Sequence, residues 1–361
     1  MPRRFLSELG AEYLTQLSDS QTHLYRSRFL FEKVSGRMSS STTPRIKPHA
    51  LRLGSTVGIV APASNIKRAD LEAGCEGLRR AGYRPIYSDT ILDRDLYFAG
   101  SVERRARELE EMFVRDDVEA IICARGGYGA NYLLEALALE KIKTHPKIFV
   151  GYSDVTTLLT YFFDKAGLVT FHGPMVAKDW LHQDGVDLAS WQSALAGTAA
   201  WEPSLDADSG AKGLVDGAAE GILYGGCLSI LVASLGTPYE IKTAGTILFL
   251  EDLAAKPFQI DRMLVQLKLA GKLDEVRGIV FGEMRDCMQN ANQGYALEEV
   301  VLRVVGKLGV PVAYGVRSGH VTSRNITLPI GVRAGLTVNG AEVNLKILES
   351  AVTAGKNPPR S

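Results

Sequence analysis

From Thr56 onward, short apolar runs alternate with segments whose apolar residues recur at helical spacing, and this alternation restricts what the chain can fold into. The runs at 56–61, 85–87, 118–124, 148–151 and 168–171 read as strands. Between them lie helical patterns: one ends near Gly82, one opens at Ser101 as its cap, one passes through Tyr132 and Leu133, and one spans about 154–166. Strands separated by helices assemble into a parallel sheet flanked by helices, so an α/β fold is expected. A second block repeats the grammar. A strand at 220–224 passes through Gly225 and Gly226 into an apolar helix, and strands at 246–251 and 278–281 bracket an amphipathic helix after Asp261. Strands at 312–315 and 326–329 follow, then two runs about Asn339-Gly340, a dipeptide suited to a tight hairpin turn.

The 361 residues allow two domains. The boundaries expected are an appendage over 1–50, a first domain over 51–176, a connector over 177–218, a second domain over 219–350 and a tail over 351–361. The connector is polar and irregular, yet it carries all three tryptophans, Trp180, Trp191 and Trp201. The appendage ends in a Ser/Thr/Pro-rich run and is expected to be disordered. Met38, directly before that run, is a second possible start of translation.

Composition excludes several classes. With 46% apolar and 23% charged residues the chain is neither disordered nor fibrous, and no apolar run reaches the 18 residues of a membrane span. Lys plus Arg and Asp plus Glu both total 41, which argues against a nucleic-acid-binding surface and suits a small, possibly zwitterionic substrate. Cys75, Cys123, Cys227 and Cys287 lack CxxC or CxxH spacing, so reduced, buried thiols of a cytoplasmic enzyme are expected, without disulfides or structural zinc. No HExxH or clustered-ligand pattern calls for a metal, and no cofactor is expected.

Four places carry chemistry-bearing residues. The run KIFVGYSDVTTLL at 147–159 is a strand, a turn and a helix, with Ser153 on the turn. Ser153 is therefore either a helix cap or a nucleophile raised above the sheet's edge. A serine nucleophile needs a base, and only His172 and His320 of the six histidines stand where a cleft is expected. The base in turn needs a carboxylate, and Glu251 and Asp252 both close the apolar run TILFLED. The fourth place is the turn ARGGYGANY. Gly126, Gly127 and Gly129 would let backbone amides approach a ligand, as an oxyanion hole or as a loosened nucleotide loop. Arg125 directly before it is either a clamp for a substrate carboxylate or half of a surface ion pair.

Taken in order, VGIVAPAS, ARGGYGANYLL, KIFVGYSDVTTLL, TFHGP, EGILYGGCLSILVASLGTPYEI, GTILFLEDL with IDRML, GIVFGEM and SGHVTSRNITLPIG resemble the LD-carboxypeptidase family. This family includes muramoyltetrapeptide carboxypeptidases and self-immunity peptidases for microcin C. The match covers roughly residues 53–349, leaves the fifty-residue extension outside the pattern, and aligns poorly over 177–218. The resemblance implies a flavodoxin-like, or glutamine-amidotransferase-like, N-terminal domain and a strand-rich swivelling C-terminal domain, with the site in the cleft between them. It implies Ser153 as nucleophile, Glu251 rather than Asp252 as acid, and His320 rather than His172 as base. The oxyanion hole would be the amides of Asp154 and Gly127, with Gly126 less favoured, and Arg125 and Gly126 would touch substrate. The implied activity is release of terminal D-Ala from a murein tetrapeptide in cytoplasmic cell-wall recycling, by a homodimer needing neither metal nor cofactor. Two rivals are a microcin-type peptidase acting on a peptidyl nucleotide and a non-catalytic nucleotide-binding protein using the GGYG turn.

Overall fold

The computed structural model of the protein describes residues 44–205, 210–288 and 294–354. The expected appendage therefore lies outside the described residues up to Thr43, as does the tail from residue 355.

Five strands alternate with helices in the first half: β1 (Thr56–Val60), β2 (Arg84–Ile86), β3 (Ala120–Cys123), β4 (Ile148–Gly151) and β5 (Thr170–His172). They pair in parallel in the order β2-β1-β3-β4-β5, the flavodoxin arrangement. All four residues of both β3 and β4 are buried, because helices cover the two faces of the sheet and leave no place for polar alternation. Ser101 caps the helix Val102–Val114 as expected, its Oγ accepting from the Arg104 amide at 3.3 Å.

The second half holds β6 (Lys212–Val215), β7 (Gly217–Cys227), β8 (Thr246–Glu251), β9 (Gly278–Gly282) and β10 (Val312–Val316), followed by β11 (Leu328–Ile330), β12 (Arg333–Asn339) and β13 (Glu342–Ile347). A seven-stranded sheet runs β13-β12-β7-β8-β9-β10-β6, parallel from β7 to β10 and antiparallel at both edges. The hairpin at Asn339-Gly340 forms, joining β12 to β13.

Three features depart from the expected boundaries. The strand expected at 326–329 among the second domain's strands is β11, and it pairs antiparallel with β5 as the outer edge of the first sheet. Residues 45–50, grouped with the appendage, are strapped to the fold: Ile46 bridges Leu168, Arg45 and Lys47 pair with Glu349, and the Ala50 amide donates to Thr353. The connector is a packed element, since Trp180 and Trp191 are buried edge to face at 5.0 Å and Trp201 exchanges two backbone hydrogen bonds with Ile347. Each difference arises from a contact distant in sequence, which local patterning does not register. Among the described residues no helix is long and apolar enough to cross a membrane.

The helix Arg68–Arg80 lies directly on the backbone at the start of the connector and the residue before it. A Cβ at Gly74 would stand 2.0 Å from the Val176 carbonyl oxygen, and one at Gly77 2.0 Å from that of Trp180. Backbone cannot yield as a side-chain tip can, so these two glycines set the spacing at which the connector docks. Gly77→Ala is expected to destabilise the protein by about 1–3 kcal/mol, read as a lower urea midpoint. A midpoint equal to wild type would show that the two segments separate freely.

Candidate active site

The carboxyl ends of β1, β3, β4 and β5 point to one rim of the first sheet, where ligands of open α/β sheets bind. Ser153 follows β4 with φ +62°, a left-handed conformation uncommon outside glycine, and leads into the helix Thr156–Tyr161. A strained turn of this kind costs about 1–3 kcal/mol and persists only where its surroundings fix it. Here they do. The buried Asp154 carboxylate accepts the Ala130 amide at 2.7 Å, tying the elbow to the Gly-rich turn. Gly126 comes so close that a Cβ on it would lie 2.7 Å from Ser153 Cβ and 3.2 Å from the Asp154 amide nitrogen. That turn is anchored in its own right: the Ser64 amide donates to the Gly126 carbonyl, and the Tyr128 amide donates to Ser64 Oγ at 3.0 Å.

Glu251 ends β8 and is 1% exposed. Its Oε2 accepts from His320 Nδ1 at 2.7 Å and from the His320 amide at 3.1 Å. Burial would push the carboxyl up, but His320 and His172 beside it outweigh burial and hold it at about 2. Burial works against the charged imidazole of His320 too, and the Glu251 charge overrides it, so His320 titrates above the ordinary histidine range. The Tyr152 ring meets His320 edge to face at 5.1 Å, which sets the residue preceding Ser153 against the imidazole.

Ser153, Asp154, Gly126 and Gly127 thus share one rim, and Glu251 and His320 form a pair from the second sheet that reaches it. The other candidates make different contacts. Asp252 faces away, its two oxygens accepting the Ser229 and Leu253 amides at 2.8 Å, so it fastens the start of the helix Leu228–Ala233. Arg125 is exposed and gives a hydrogen bond to the Asn65 carbonyl at 3.3 Å. Among the described residues no three His, Cys, Asp or Glu side chains converge as a metal site requires. A cavity of about 480 Å³ opens beside Asp154 and runs between the Gly-rich turn and that helix, lined by Tyr128, Tyr132, Thr157, Ile230 and Tyr239 among others.

Sequence reasoning did not foresee several groups at the site. Asn325 brackets Gly319, accepting its amide at 3.0 Å and donating to its carbonyl at 3.1 Å, and donates again to Asp179 at 3.2 Å. Asp179 belongs to the connector, is buried, and also takes the Met175 amide. Arg105 is buried beneath the Gly-rich turn and donates to the carbonyls of Pro62 and Gly129 at 2.6 and 2.8 Å. Asn325 lies within the SGHVTSRNITLP run, so a signal existed for it; Asp179 and Arg105 offered none. His172, passed over as base, also faces Glu251.

Two family models match the chain, the LD-carboxypeptidase N-terminal domain over residues 57–173 and the LD-carboxypeptidase C-terminal domain over 220–336. The chain belongs to the LD-carboxypeptidase family. It is 39% identical to a probable murein peptide carboxypeptidase of Bacillus subtilis over 86% of this chain and 96% of that one. Among solved structures it resembles the muramoyltetrapeptide carboxypeptidase of Oxalobacter formigenes (TM-score 0.73, 28% identity, covering 84% of this chain and 100% of that one). It also resembles the microcin C7 self-immunity protein MccF in complex with aspartyl sulfamoyl adenosine (TM-score 0.79, 26% identity, 85% and 100% covered). The fold is therefore the family's two-domain α/β arrangement, and the protein is a serine-type peptidase. Membership of a peptidase family sets aside the non-catalytic nucleotide-binding reading of the GGYG turn.

The electrostatics of this LD-carboxypeptidase's Glu251–His320 pair can be read without substrate. Nitrogen-15 NMR titration should place the His320 midpoint above the ordinary value of roughly 6.5. In Glu251→Gln the nearest attractive charge is gone, and burial is opposed only by the weaker pull of Asp252 and Asp179, so the midpoint should fall. An unmoved midpoint would mean that Glu251 does not set the charge of His320.

Proposed function

We propose that the protein hydrolyses the L,D-peptide bond that releases terminal D-Ala from a murein tetrapeptide, with Ser153 as nucleophile, His320 as base and Glu251 as the acid that orients it. The observation that carries the reading is the buried Glu251–His320 hydrogen bond at 2.7 Å, its imidazole packed against the residue preceding a left-handed Ser153. His320 Nδ1–H is committed to Glu251, which leaves Nε2 as the proton acceptor.

The chemistry follows as acyl transfer. His320 Nε2 takes the hydroxyl proton as Ser153 Oγ bonds to the scissile carbonyl carbon, and negative charge moves to the carbonyl oxygen. In this reading the amides of Asp154 and Gly127 bind that oxygen, and the close approach of Gly126 to Ser153 and to the Asp154 amide nitrogen, with no room for a side chain, supports it. The C–N bond then breaks, the D-Ala amine leaves with the proton held by His320, and an ester remains on Ser153. Water activated by the same imidazole releases the shortened peptide. We assign Arg125, exposed at the start of the turn, to the peptide's terminal carboxylate, and the cavity beside Asp154 to the remainder of the chain. Four free, buried thiols and the relatives' murein-peptide names support a cytoplasmic role in cell-wall recycling, and we extend the reading to a homodimer.

The likeness to MccF supports a second reading, in which the same groups cleave the amide of an aminoacyl or peptidyl nucleotide. Parallel assays on an L,D-linked tetrapeptide and an aspartyl sulfamoyl adenosine separate the two. On whichever is turned over, Ser153→Ala should lower kcat by about 10⁴-fold or more. Near-normal release of D-Ala by that variant would sink the assignment of the nucleophile.

A further inference from the structure

The two oxygens of Glu251 face different histidines. Oε2 is occupied by His320. Oε1 has no hydrogen-bond partner, and 3.8 Å away stands Nε2 of His172, which has none either. The two side chains are 1% and 0% exposed, so bulk water satisfies neither atom. A separation of 3.8 Å exceeds a hydrogen bond, yet a bridging water would need about 5 Å to make two bonds of normal length. The partner each atom can acquire is therefore the other. Hydrogen bonds in resting sites are often long and tighten as charge develops.

The remaining contacts of the ring fix its orientation. His172 Nδ1 lies 2.8 Å from Ser318 Oγ, on the loop that carries His320 two residues later. Phe249 packs edge to face on the ring at 5.0 Å. A Cβ at Gly319 would sit 2.8 Å from His172 Cε1 and 2.7 Å from Glu251 Cδ, so the loop must be bare there for imidazole and carboxylate to meet. The titratable groups around the ring are Glu251 and Tyr152, with His320 beyond the carboxylate and Asp179 behind Tyr152.

We infer that His172 is a second histidine on the same acid: as the neutral tautomer it accepts the Ser318 hydroxyl at Nδ1 and directs Nε2–H at Glu251 Oε1, holding the carboxylate ionised and in the plane of His320. This rests on the reading of Ser153, Glu251 and His320 as the reacting groups. His172 touches neither substrate nor nucleophile and carries no proton through the reaction. It is a positioning residue. With a donor aimed at each oxygen, the carboxylate neither rotates nor gains a proton when the imidazolium forms beside it.

The test compares full-length wild type with His172→Leu, His172→Gln, Ser318→Ala and Ser153→Ala. It measures kcat and KM on an L,D-linked tetrapeptide and, without substrate, the proton resonance of His320 Nδ1–H. His172→Leu should lower kcat about 10- to 100-fold with KM nearly unchanged and should move the His320 resonance. His172→Gln, whose amide reaches the same oxygen, should recover most of both. Ser318→Ala, which leaves the ring packing in place, should shift the resonance in the same direction and by less. A folded His172→Leu with wild-type kcat and resonance overturns the inference, and so does a glutamine variant no better than leucine. Should His172→Leu fail to fold, an unshifted resonance in Ser318→Ala overturns it instead. Normal turnover by Ser153→Ala would defeat the underlying triad, whereas a dead Ser153→Ala beside a normal His172→Leu defeats the second histidine alone.

Discussion

One buried carboxylate organises the site. Glu251 sits at the end of a fully buried strand, 1% exposed, and an ionised group there would cost several kcal/mol without compensation. It faces histidines from both halves of the protein: His320, hydrogen-bonded to it from the loop after β10, and His172, 3.8 Å away at the end of β5 in the other sheet. His320 supplies the hydrogen bonds from the same half as the carboxylate, and the docked first sheet closes the other side and keeps the group out of water. The hydrogen bond that tunes the imidazole lies within the second half, while the other oxygen of the same carboxylate faces the first sheet across 3.8 Å.

That docking depends on absent side chains as much as on present ones. A Cβ at Gly282 would lie 2.6 Å from Glu251 Cβ, one at Gly319 2.7 Å from its carboxyl carbon, and one at Gly226 2.6 Å from Thr156 Oγ1 on the helix that follows Ser153. Thr156 Oγ1 in turn accepts the Cys227 amide at 3.1 Å, a second tie between that helix and β7. Asn325 and Asp179 then fix the His320 loop from behind through Gly319. The connector's role is mechanical, because Asp179 acts on the loop only while Gly74 and Gly77 let residues 176–180 lie close to their helix.

The alternation of strand and helix made the first sheet legible, since a parallel sheet covered on both faces leaves an apolar run for each strand. Ser153 was ambiguous for a physical reason: a capping serine and an elbow serine occupy the same strand-turn-helix position, and they differ in the sign of φ, which the residue type does not reveal. Glu251 and Asp252 were equally ambiguous because both stand where a buried strand ends, and successive side chains there point to opposite sides; one meets the histidines and the other caps a helix. β11 and the strap at 45–50 were illegible because their partners lie far along the chain, Leu328 on His172 and Ile46 on Leu168. The same holds for His172. A lone histidine in TFHGP carries no sign of which carboxylate it will face, and family pattern alone ranked it below His320.

The strained elbow and the buried acid solve one problem from opposite sides. A serine hydroxyl at neutral pH is a poor nucleophile, and little is gained by an imidazole that holds its proton loosely or a hydroxyl free to turn away. In the proposed mechanism the left-handed turn limits the second freedom by fixing the backbone of Ser153, held by Asp154 on the Ala130 amide and by the bare Gly126, while Arg105 secures the same Gly-rich turn from below through the Gly129 carbonyl. Glu251 removes the first by raising the proton affinity of His320 through a hydrogen bond that burial shields from water. Both arrangements are costly when formed, and both costs are met during folding rather than during reaction. A preorganised site of this kind works without a charged surface to gather its substrate, which is consistent with equal numbers of acidic and basic residues over the whole chain.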